Sequence, residues 1–443
     1  MKVKQNYNMS FKVMTCTIFA FIFSAIVATE NLFAEEYSLE DLYKIALERS
    51  ERIKISEEDM FIAERQKDKA MSVLLPKLSA FGDYTKYSEA KTSGSGWVIQ
   101  PDWSTSWGLR LDQSLSLSGR EFTAFQISKK GLESSRYNLY TVKEDYLFSV
   151  SAAYYDVLRA HKALEIAMVN VERLRKHRDA AETRLRIGEV TKTALLRAEA
   201  ELSGAQSEMV RAENNLNLAK AVLARIVGIN GEYTLKETVL EKIGELQLSS
   251  LKEEAMAERA EIKSSNIQKK IAEEQVKYAQ GAYWPILSVE GVYSRLDENP
   301  SSPFFYKEST HGVLKLNFPF FEGGLRRAEV NEAKAKQRQS ELIHEDLKKT
   351  ISIDVENAYL DLKTQAGILK SLEDQLVFAR DNYNAVSKQF EYGLANSIDV
   401  MDANTLLVTS ERQLTDAKYN YQLSILRLKK ATGTLLKAVS SNK

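Results

Sequence analysis

The sequence predicts a mainly α-helical, internally duplicated chain with two long antiparallel helical hairpins and four β-strands. Three observations support this fold class: a heptad pattern in the last long helix, the recurrence of that pattern earlier in the chain, and a change from helical to strand periodicity inside each half. Together they favour one body built from two similar halves.

The last long helix carries large and small residues in a strict heptad pattern. Large residues occupy every seventh position from Val400 to Leu428, and a small residue follows each by three positions, from Ala403 to Ala431. Small residues let neighbouring helices approach closely. We therefore expect this helix to pack tightly along its length.

The same pattern occurs earlier, at a constant offset. Gly393 lies 205 positions after Gly188, and Val400 lies 205 positions after Leu195. A constant offset along a whole helix indicates a duplicated chain. The predicted organisation is a signal peptide at 1–34, a first repeat at 35–228, a linker at 229–249, a second repeat at 250–436 and a C-terminal tail at 437–443.

Each repeat begins with a predicted helix, at 38–73 with Ser38 as N-cap and at 250–282. These helices end at Pro76 and Pro285, because proline disfavours a helix interior. After each proline, apolar and polar residues alternate. This alternation predicts β-hairpins at about 77–117 and 286–321.

The predicted strands are apolar on one face and charged on the other. Leu109 and Leu111 alternate with Arg110 and Asp112. Strands of about ten residues with this pattern are typical of outer-membrane barrels. A soluble hairpin packed on the helices is the alternative interpretation.

Each hairpin leads into a very long helix. Gly119 and Gly324, again 205 positions apart, mark the points where a strand turns into a helix. Gly188 and Gly393 are predicted left-handed C-caps that end those helices. The sequence thus predicts helical hairpins at about 122–228 and 327–436, each on the order of 100 Å long.

The N-terminus reads as a secretory signal peptide. Three lysines within the first twelve residues precede an apolar run at 14–28, and small residues allow cleavage after Ala28 or Ala34. A retained membrane anchor is the alternative interpretation. No other apolar run is long enough for a transmembrane helix, so an exported chain of this kind would enter a membrane as β-structure.

Composition argues against several classes of function. The chain has 61 basic and 61 acidic residues, so it has no excess of positive charge with which to bind nucleic acid. Its one cysteine is Cys16, and its four histidines lack zinc-ligand spacing. Neither a phosphate-binding glycine loop nor a nucleophile elbow is present. We therefore predict no enzyme, no metal and no cofactor.

Four strands are too few to close a barrel, for which about eight are needed. Open strand edges facing lipid are not tolerated, so the chain must self-associate. Two copies would give eight strands and little lumen. Three copies would give a twelve-stranded trimeric β-barrel, with the helical hairpins forming an α-barrel below it.

The chain resembles the TolC-type family of outer-membrane efflux and export channels. The resemblance rests on Gly-x₅-Asp-Val-x-Asp-Ala at 393–403, its weaker copy at 188–198, Phe-Glu-Gly-Gly at 321–324, and the two-fold repeat. It implies a homotrimer in the outer membrane with a tunnel across the periplasm. It also implies docking to a periplasmic adaptor, or membrane fusion protein, coupled to an inner-membrane transporter in efflux or type I secretion.

In such channels two aspartates surround the narrow periplasmic entrance, and Asp399 and Asp402 match them. Six carboxylates from three chains would favour cations and respond to divalent ions. Asp399 also lies three residues after Asn396, so helix capping is an alternative role that can coexist.

The resemblance also implies a lock that this chain lacks. Where well-known members carry an arginine, an aspartate and a tyrosine, this sequence has Ala395, Ala194 and Phe390. We therefore expect closure by packing or by other contacts, with Lys192 and Arg197 as candidates.

Adaptor docking would use the residues of the two turns, although an ordinary turn without a partner is the alternative. An exposed apolar side chain beside a glycine offers a small surface that a partner helix can cover. The residues concerned are Ile187, Gly188, Glu189, Val190, Tyr392, Gly393, Leu394 and Ala395.

A periplasmic coiled-coil scaffold, or an adaptor protein without a pore, is the competing function. A scaffold explains the heptads but not the two hairpins bounded by proline and glycine at matched positions. An adaptor would usually carry one helical hairpin and soluble β-domains.

Overall fold

A computed structural model describes residues 35–237, 241, 244, 246–302 and 306–441; the predicted signal peptide at 1–34 lies outside the described residues. The chain is mainly helical. The helices are α1 (Leu39–Arg49), α2 (Glu51–Ser72), α3 (Arg120–Arg186), α4 (Lys192–Val227), α5 (Leu248–Glu258), α6 (Ala260–Gly281), α7 (Leu325–Glu391), α8 (Ser397–Ala431) and α9 (Leu435–Ser441). The strands are β1 (Glu35–Tyr37), β2 (Lys77–Lys86), β3 (Lys91–Thr92), β4 (Val98–Gln100), β5 (Trp103–Ser116), β6 (Tyr233–Leu235), β7 (Ile286–Asn299) and β8 (Glu308–Asn317).

The first predicted helix is two helices. Ser38 caps α1 as expected, in a capping box with Asp41. At Ser50, however, the backbone is extended, with φ −59° and ψ 122°, and the Ser50 hydroxyl accepts a hydrogen bond from the N–H of Ile53 at 3.3 Å. Serine can cap a helix with its own side chain, so α2 starts afresh without a proline or glycine.

The second repeat breaks at the matching place. Arg259, between α5 and α6, has φ −55° and ψ 121°. Its guanidinium binds the carboxylate of Glu261 at 2.7 Å and donates to the carbonyl of Ala431 at 3.2 Å. Side-chain contacts therefore hold a break that the helical period alone did not predict.

Four strands form one antiparallel sheet in the order β2-β5-β7-β8, so β2 and β8 are its edges. Arg110 lies opposite Val292, and Leu109 lies opposite Tyr293. This register gathers the apolar side chains on one face, where Leu109 is exposed. The opposite face carries the charged side chains, with an ion pair between Arg110 and Glu290 at 3.4 Å, and also the apolar Phe81 and Val292.

The chain also has β-structure outside this sheet. β1 and β6 form a parallel pair, which places the start of the first repeat beside the linker predicted at 229–249. β3 and β4 pair within the loop between β2 and β5. Neither pairing was predicted from the sequence.

The junction between sheet and helices uses the proline and glycine positions singled out in the sequence. Pro76 and Pro285 stand directly before β2 and β7, and the carbonyl of Pro285 accepts the N–H of Leu117 at 3.0 Å. Gly119 and Gly324 precede α3 and α7 with φ of 70° and 88°. A left-handed residue at these points redirects the chain from a strand into a helix.

Two helical hairpins extend from the sheet. α3 and α7 each contain 67 residues, which corresponds to about 100 Å. α3 pairs with α4, α7 pairs with α8, and α3 also contacts α8. The heptad prediction for α8 is confirmed, because every large residue from Val400 to Leu428 and every small residue from Ala403 to Ala431 in that pattern is buried.

The apolar core lies around the middle of the long helices. One cluster joins α1, α3 and α4 through residues such as Leu42, Tyr154 and Leu223, and a second joins α5, α7 and α8. Leu435, at the start of α9, belongs to the first cluster and is 1% exposed. The C-terminal tail predicted at 437–443 belongs to this helix as far as Ser441, because burial of Leu435 fixes the start of α9.

Among the residues that the structure describes, none of the helices combines the length and apolar character required to cross a membrane.

Candidate functional site at the two tip turns

The far ends of the helical hairpins are two turns of the same backbone geometry, here called the first turn (187–191) and the second turn (392–396). The N–H of Glu189 donates to the carbonyl of Arg184 at 2.9 Å, and the N–H of Leu394 donates to that of Gln389 at 2.8 Å. Gly188 and Gly393 have φ of 82° and 74°. Both turns are Schellman-type helix ends, in which only glycine takes the left-handed position without strain.

Apolar side chains project from both turns. Ile187 is 66% exposed, Tyr392 is 80% exposed and Leu394 is 79% exposed, whereas Val190 and Ala395 are half-buried. Glu189 occupies the position of the first turn that Leu394 occupies in the second. The second turn is therefore the more apolar of the two surfaces.

Asp399 has a local structural role. Its carboxylate accepts the backbone N–H of Asn396 at 3.0 Å, and the side-chain oxygen of Asn396 accepts the N–H groups of Ile398 and Asp399. This is a complete capping box at the start of α8. The first turn has Thr191 and Ala194 at these positions and no side-chain cap.

Asp402 lies one helical turn beyond Asp399 and is also exposed. It makes no side-chain hydrogen bond or ion pair with the described residues, so capping does not account for it. A carboxylate pair, one bound locally and one open to solvent, thus stands at the N-terminal end of α8.

Lys192 and Arg197, the candidates for closing contacts, are exposed near the start of α4. Neither forms an ion pair or a side-chain hydrogen bond to another residue in the described part of the chain. A role for either residue in closure stays a prediction.

The contact that joins the two hairpins at this end involves Arg184, which the sequence analysis missed. Its guanidinium donates to the carbonyl oxygen of Glu391 at 2.8 Å and lies 4.3 Å from the ring centroid of Phe390. It also lies 3.9 Å from the carboxylate of Glu189. One side chain of α3 therefore contacts both the first turn and the end of α7.

His177 forms the second part of this contact. Its side chain is buried at 9% exposure, and its Nε2 shares a hydrogen bond with the hydroxyl of Ser397 at 2.9 Å. The imidazole ring lies 5.0 Å from that of Phe390. Burial lowers the pKa of His177, and the nearby Arg184 guanidinium lowers it further. We call His177, Arg184, Phe390, Glu391 and Ser397 the tip cluster.

Further polar contacts continue between α3 and α8 away from the turns. Asn170 accepts a hydrogen bond from the amide of Asn404 at 2.8 Å. Arg173 forms a two-point contact with the carboxylate of Glu411 at 2.9 and 3.3 Å, and both side chains are little exposed. These contacts fix the position of the second hairpin against the first.

A signal for these contacts is present in the sequence. Asn170, His177 and Arg184 occupy every seventh position on α3, and Ser397, Asn404 and Glu411 do so on α8. A polar stripe with the heptad step marks a helix face that meets another helix through hydrogen bonds. This polar stripe lies beside the apolar seam and has the same seven-residue spacing, so the sequence analysis identified only the seam.

The match to a known protein family covers both repeats of the chain. The sequence model described as "Outer membrane efflux protein" matches residues 42–229 and 251–434. The outer membrane protein TolC of Escherichia coli is 25% identical over 432 residues, covering 93% of this chain and 84% of that protein. The alkaline protease secretion protein AprF of Pseudomonas aeruginosa is 22% identical over 439 residues, covering 96% and 89%.

A solved structure shares the fold. The CmeC outer membrane channel of Campylobacter jejuni superposes with a TM-score of 0.80 at 18% sequence identity, covering 91% of this chain and 88% of that one. The chain therefore belongs to the outer membrane efflux protein family, which confirms the resemblance seen in its repeats and makes it a non-enzymatic transport protein of the outer membrane that extends into the periplasm.

Proposed function

We propose that three copies of this chain form a continuous duct, with a twelve-stranded β-barrel in the outer membrane and a helical tunnel in the periplasm. The observation that carries this proposal is the four-stranded sheet with β2 and β8 at its edges. Its apolar face is exposed, with Leu78, Leu314 and Leu316 open to the surroundings. Such a face suits lipid, and free strand edges must then pair with other copies.

The helices support association as well. The long helix α7 leaves Leu342, Ile353 and Phe378 exposed along its length. An isolated chain of this shape would present a long apolar surface to water, and such surfaces normally mark contacts between proteins. We assign this surface to neighbouring copies in the helical tunnel.

The tip turns are assigned to adaptor docking. Ile187, Tyr392 and Leu394 form small apolar surfaces beside the glycine turns, as a helical partner requires. The partner is a periplasmic adaptor that is coupled to an inner-membrane transporter. Docking of the adaptor opens the tip. In this arrangement the chain is the exit duct of a tripartite efflux pump or of a type I secretion system. The secretion alternative is supported by the relative AprF, whose name refers to protease secretion.

Asp399 and Asp402 are assigned to the entrance of the duct. Three copies would bring six carboxylates to one constriction, which favours cations over anions. The capping role of Asp399 is compatible with this assignment, because the capping bond to the N–H of Asn396 uses Oδ2 and the residue is exposed.

Single-particle electron microscopy of the detergent-extracted protein tests the assembly. We expect a hollow threefold particle with a helical tube on the order of 100 Å long. A solid rod or a filament would contradict the duct and would favour a coiled-coil scaffold without a pore.

A further inference from the structure

The tip cluster contains a titratable side chain at the point where the two hairpins meet. His177 of α3 is buried between Phe390, the penultimate residue of α7, and Ser397, the first residue of α8. The hydroxyl of Ser397 is the polar partner of its Nε2 in the structure. A shift of the second turn away from α3 would break this hydrogen bond and expose the imidazole.

The Arg184 guanidinium already places one positive charge near His177, and the other charged groups nearby do not favour a second positive charge on the imidazole. On α3, Arg184 places its guanidinium on the Phe390 ring that also contacts His177. From the end of α7, Glu391 contributes its carbonyl to Arg184, and on α8 the carboxylate of Asp399 is bound to the N–H of Asn396. On α4, the residue buried at this level is Ala198, whereas Arg197 and Glu201 are exposed.

Protonation of His177 therefore opposes the contact. We call the state in which the tip cluster is formed the joined state. In that state an imidazolium would be buried beside Arg184, with only the Ser397 hydroxyl as its partner. If the two hairpins separated, water would solvate the imidazolium. Because the pKa of His177 is lowered in the joined state, that state is fully stable above the ordinary histidine pKa and loses stability as the pH falls below it.

We propose that the tip cluster is an acid-sensitive closing contact, in which protonation of His177 releases the second turn from α3 and promotes opening of the duct. This inference rests on the proposed function, since it assigns regulation to the proposed entrance. It also identifies what replaces the ion-pair lock that this sequence lacks: a histidine, an arginine and an aromatic ring within one chain.

The test is the open probability of the purified, reconstituted protein in planar bilayers between pH 7.5 and 5.5. In the natural protein we expect a several-fold rise in open probability as the pH falls through this range. His177→Gln keeps a neutral amide that can bind Ser397 but cannot titrate here, so we expect its open probability to be independent of pH over the same range.

The chain offers matched controls. His161 lies on the same helix but is exposed, and His344 is buried on α7 against Ser265, away from the tip. A variant with His161, His311 and His344 all replaced by glutamine keeps His177 as its one histidine, and we expect it to retain the full response.

The outcomes separate the two proposals. Loss of the response in His177→Gln, with retention in the triple variant, supports the inference. A natural protein that conducts equally at both pH values, or a His177→Gln variant that still responds, overturns it while leaving the duct intact. Absence of any conductance in every variant overturns the proposed function itself.

Discussion

The guanidinium of Arg184 donates to the carbonyl oxygen of Glu391 across 2.8 Å, and so links the end of α3 to the end of α7. The two residues are 207 positions apart and belong to different repeats. A charged donor bound to a helix C-terminal carbonyl is favourable both as a hydrogen bond and through the helix dipole.

Replacing Arg184 with alanine should loosen the tip. The variant loses the bond to Glu391 and the contact with Phe390, a loss of about 1–3 kcal/mol per chain. We expect a higher open probability in planar bilayers at neutral pH. Arg186→Ala is the control, since Arg186 lies two residues further along and its side chain is 75% exposed; an equal effect of both variants would contradict a specific role for Arg184.

Substitution of Asp399 and substitution of Asp402 should have different effects on the stability of the tip. Asp402→Asn removes a charge without a bonded partner, so we expect lower cation preference, read from reversal potentials, and no change in tip stability. Asp399→Asn should lower cation preference and also weaken the start of α8 by about 0.3–1 kcal/mol, because it removes a negative charge from the helix N-terminus while its amide oxygen can still accept the N–H of Asn396. Limited proteolysis at the second turn should increase in Asp399→Asn alone.

If the double alanine variant of Asp399 and Asp402 conducts with unchanged cation preference, the carboxylates do not control the entrance. The capping box would then be the whole function of Asp399, and Asp402 would be an ordinary surface residue.

Leu394→Glu should abolish adaptor docking while leaving assembly intact. The equivalent position of the first turn already carries Glu189 in the same backbone conformation, so the turn tolerates an acidic side chain. A charge at this position, however, opposes burial under a partner helix. The measurement is export by intact cells together with the yield of the extracted assembly; normal export would show that Leu394 lies outside the docking surface.

The C-terminal helix α9 should be held more weakly as the pH rises. Glu144 on α3 is buried and accepts the N–H of Leu436 at 3.4 Å. Burial raises the pKa of Glu144 from 4.5 to about 7. Its contribution to stability is therefore fully present below pH 4.5 and is lost as the pH rises through about 7, when the buried carboxyl ionises.

Hydrogen exchange of the α9 amides, corrected for the intrinsic rate, measures this effect. We expect protection to fall between pH 6 and pH 8 in the natural protein and to stay constant in Glu144→Gln. Glu133→Gln, on the exposed part of the same helix, should behave like the natural protein. A fall of equal size in Glu144→Gln would assign the pH dependence to another group.

The sequence predicted the features that depend on local periodicity. The seam of α8 is buried along its whole length, Gly188 and Gly393 are left-handed, and Ser38 caps α1. Each of these follows from residue size, from backbone sterics or from a side chain a few positions away. The duplication strengthened the prediction of the seam and of the glycine turns, because these two patterns were each observed twice.

The features that the sequence did not predict depend on contacts distant in the chain. His177 and Ser397 are 220 positions apart, and their pairing follows from how the two hairpins lie together. The breaks at Ser50 and Arg259 likewise lack a proline or glycine and are held by side-chain contacts. The heptad-spaced polar residues were visible, but the apolar seam beside them dominated the interpretation.

The central pairing of the sheet joins β5 of the first repeat to β7 of the second. In the proposed ring, β8 of one copy meets β2 of the next, so a second strand of one repeat again lies beside a first strand of another. The junction within a chain and the junction between chains are thus equivalent in architecture. The proposed trimer therefore carries six tips of two alternating kinds, and Ala194 and Asp399 stand at corresponding positions of the two.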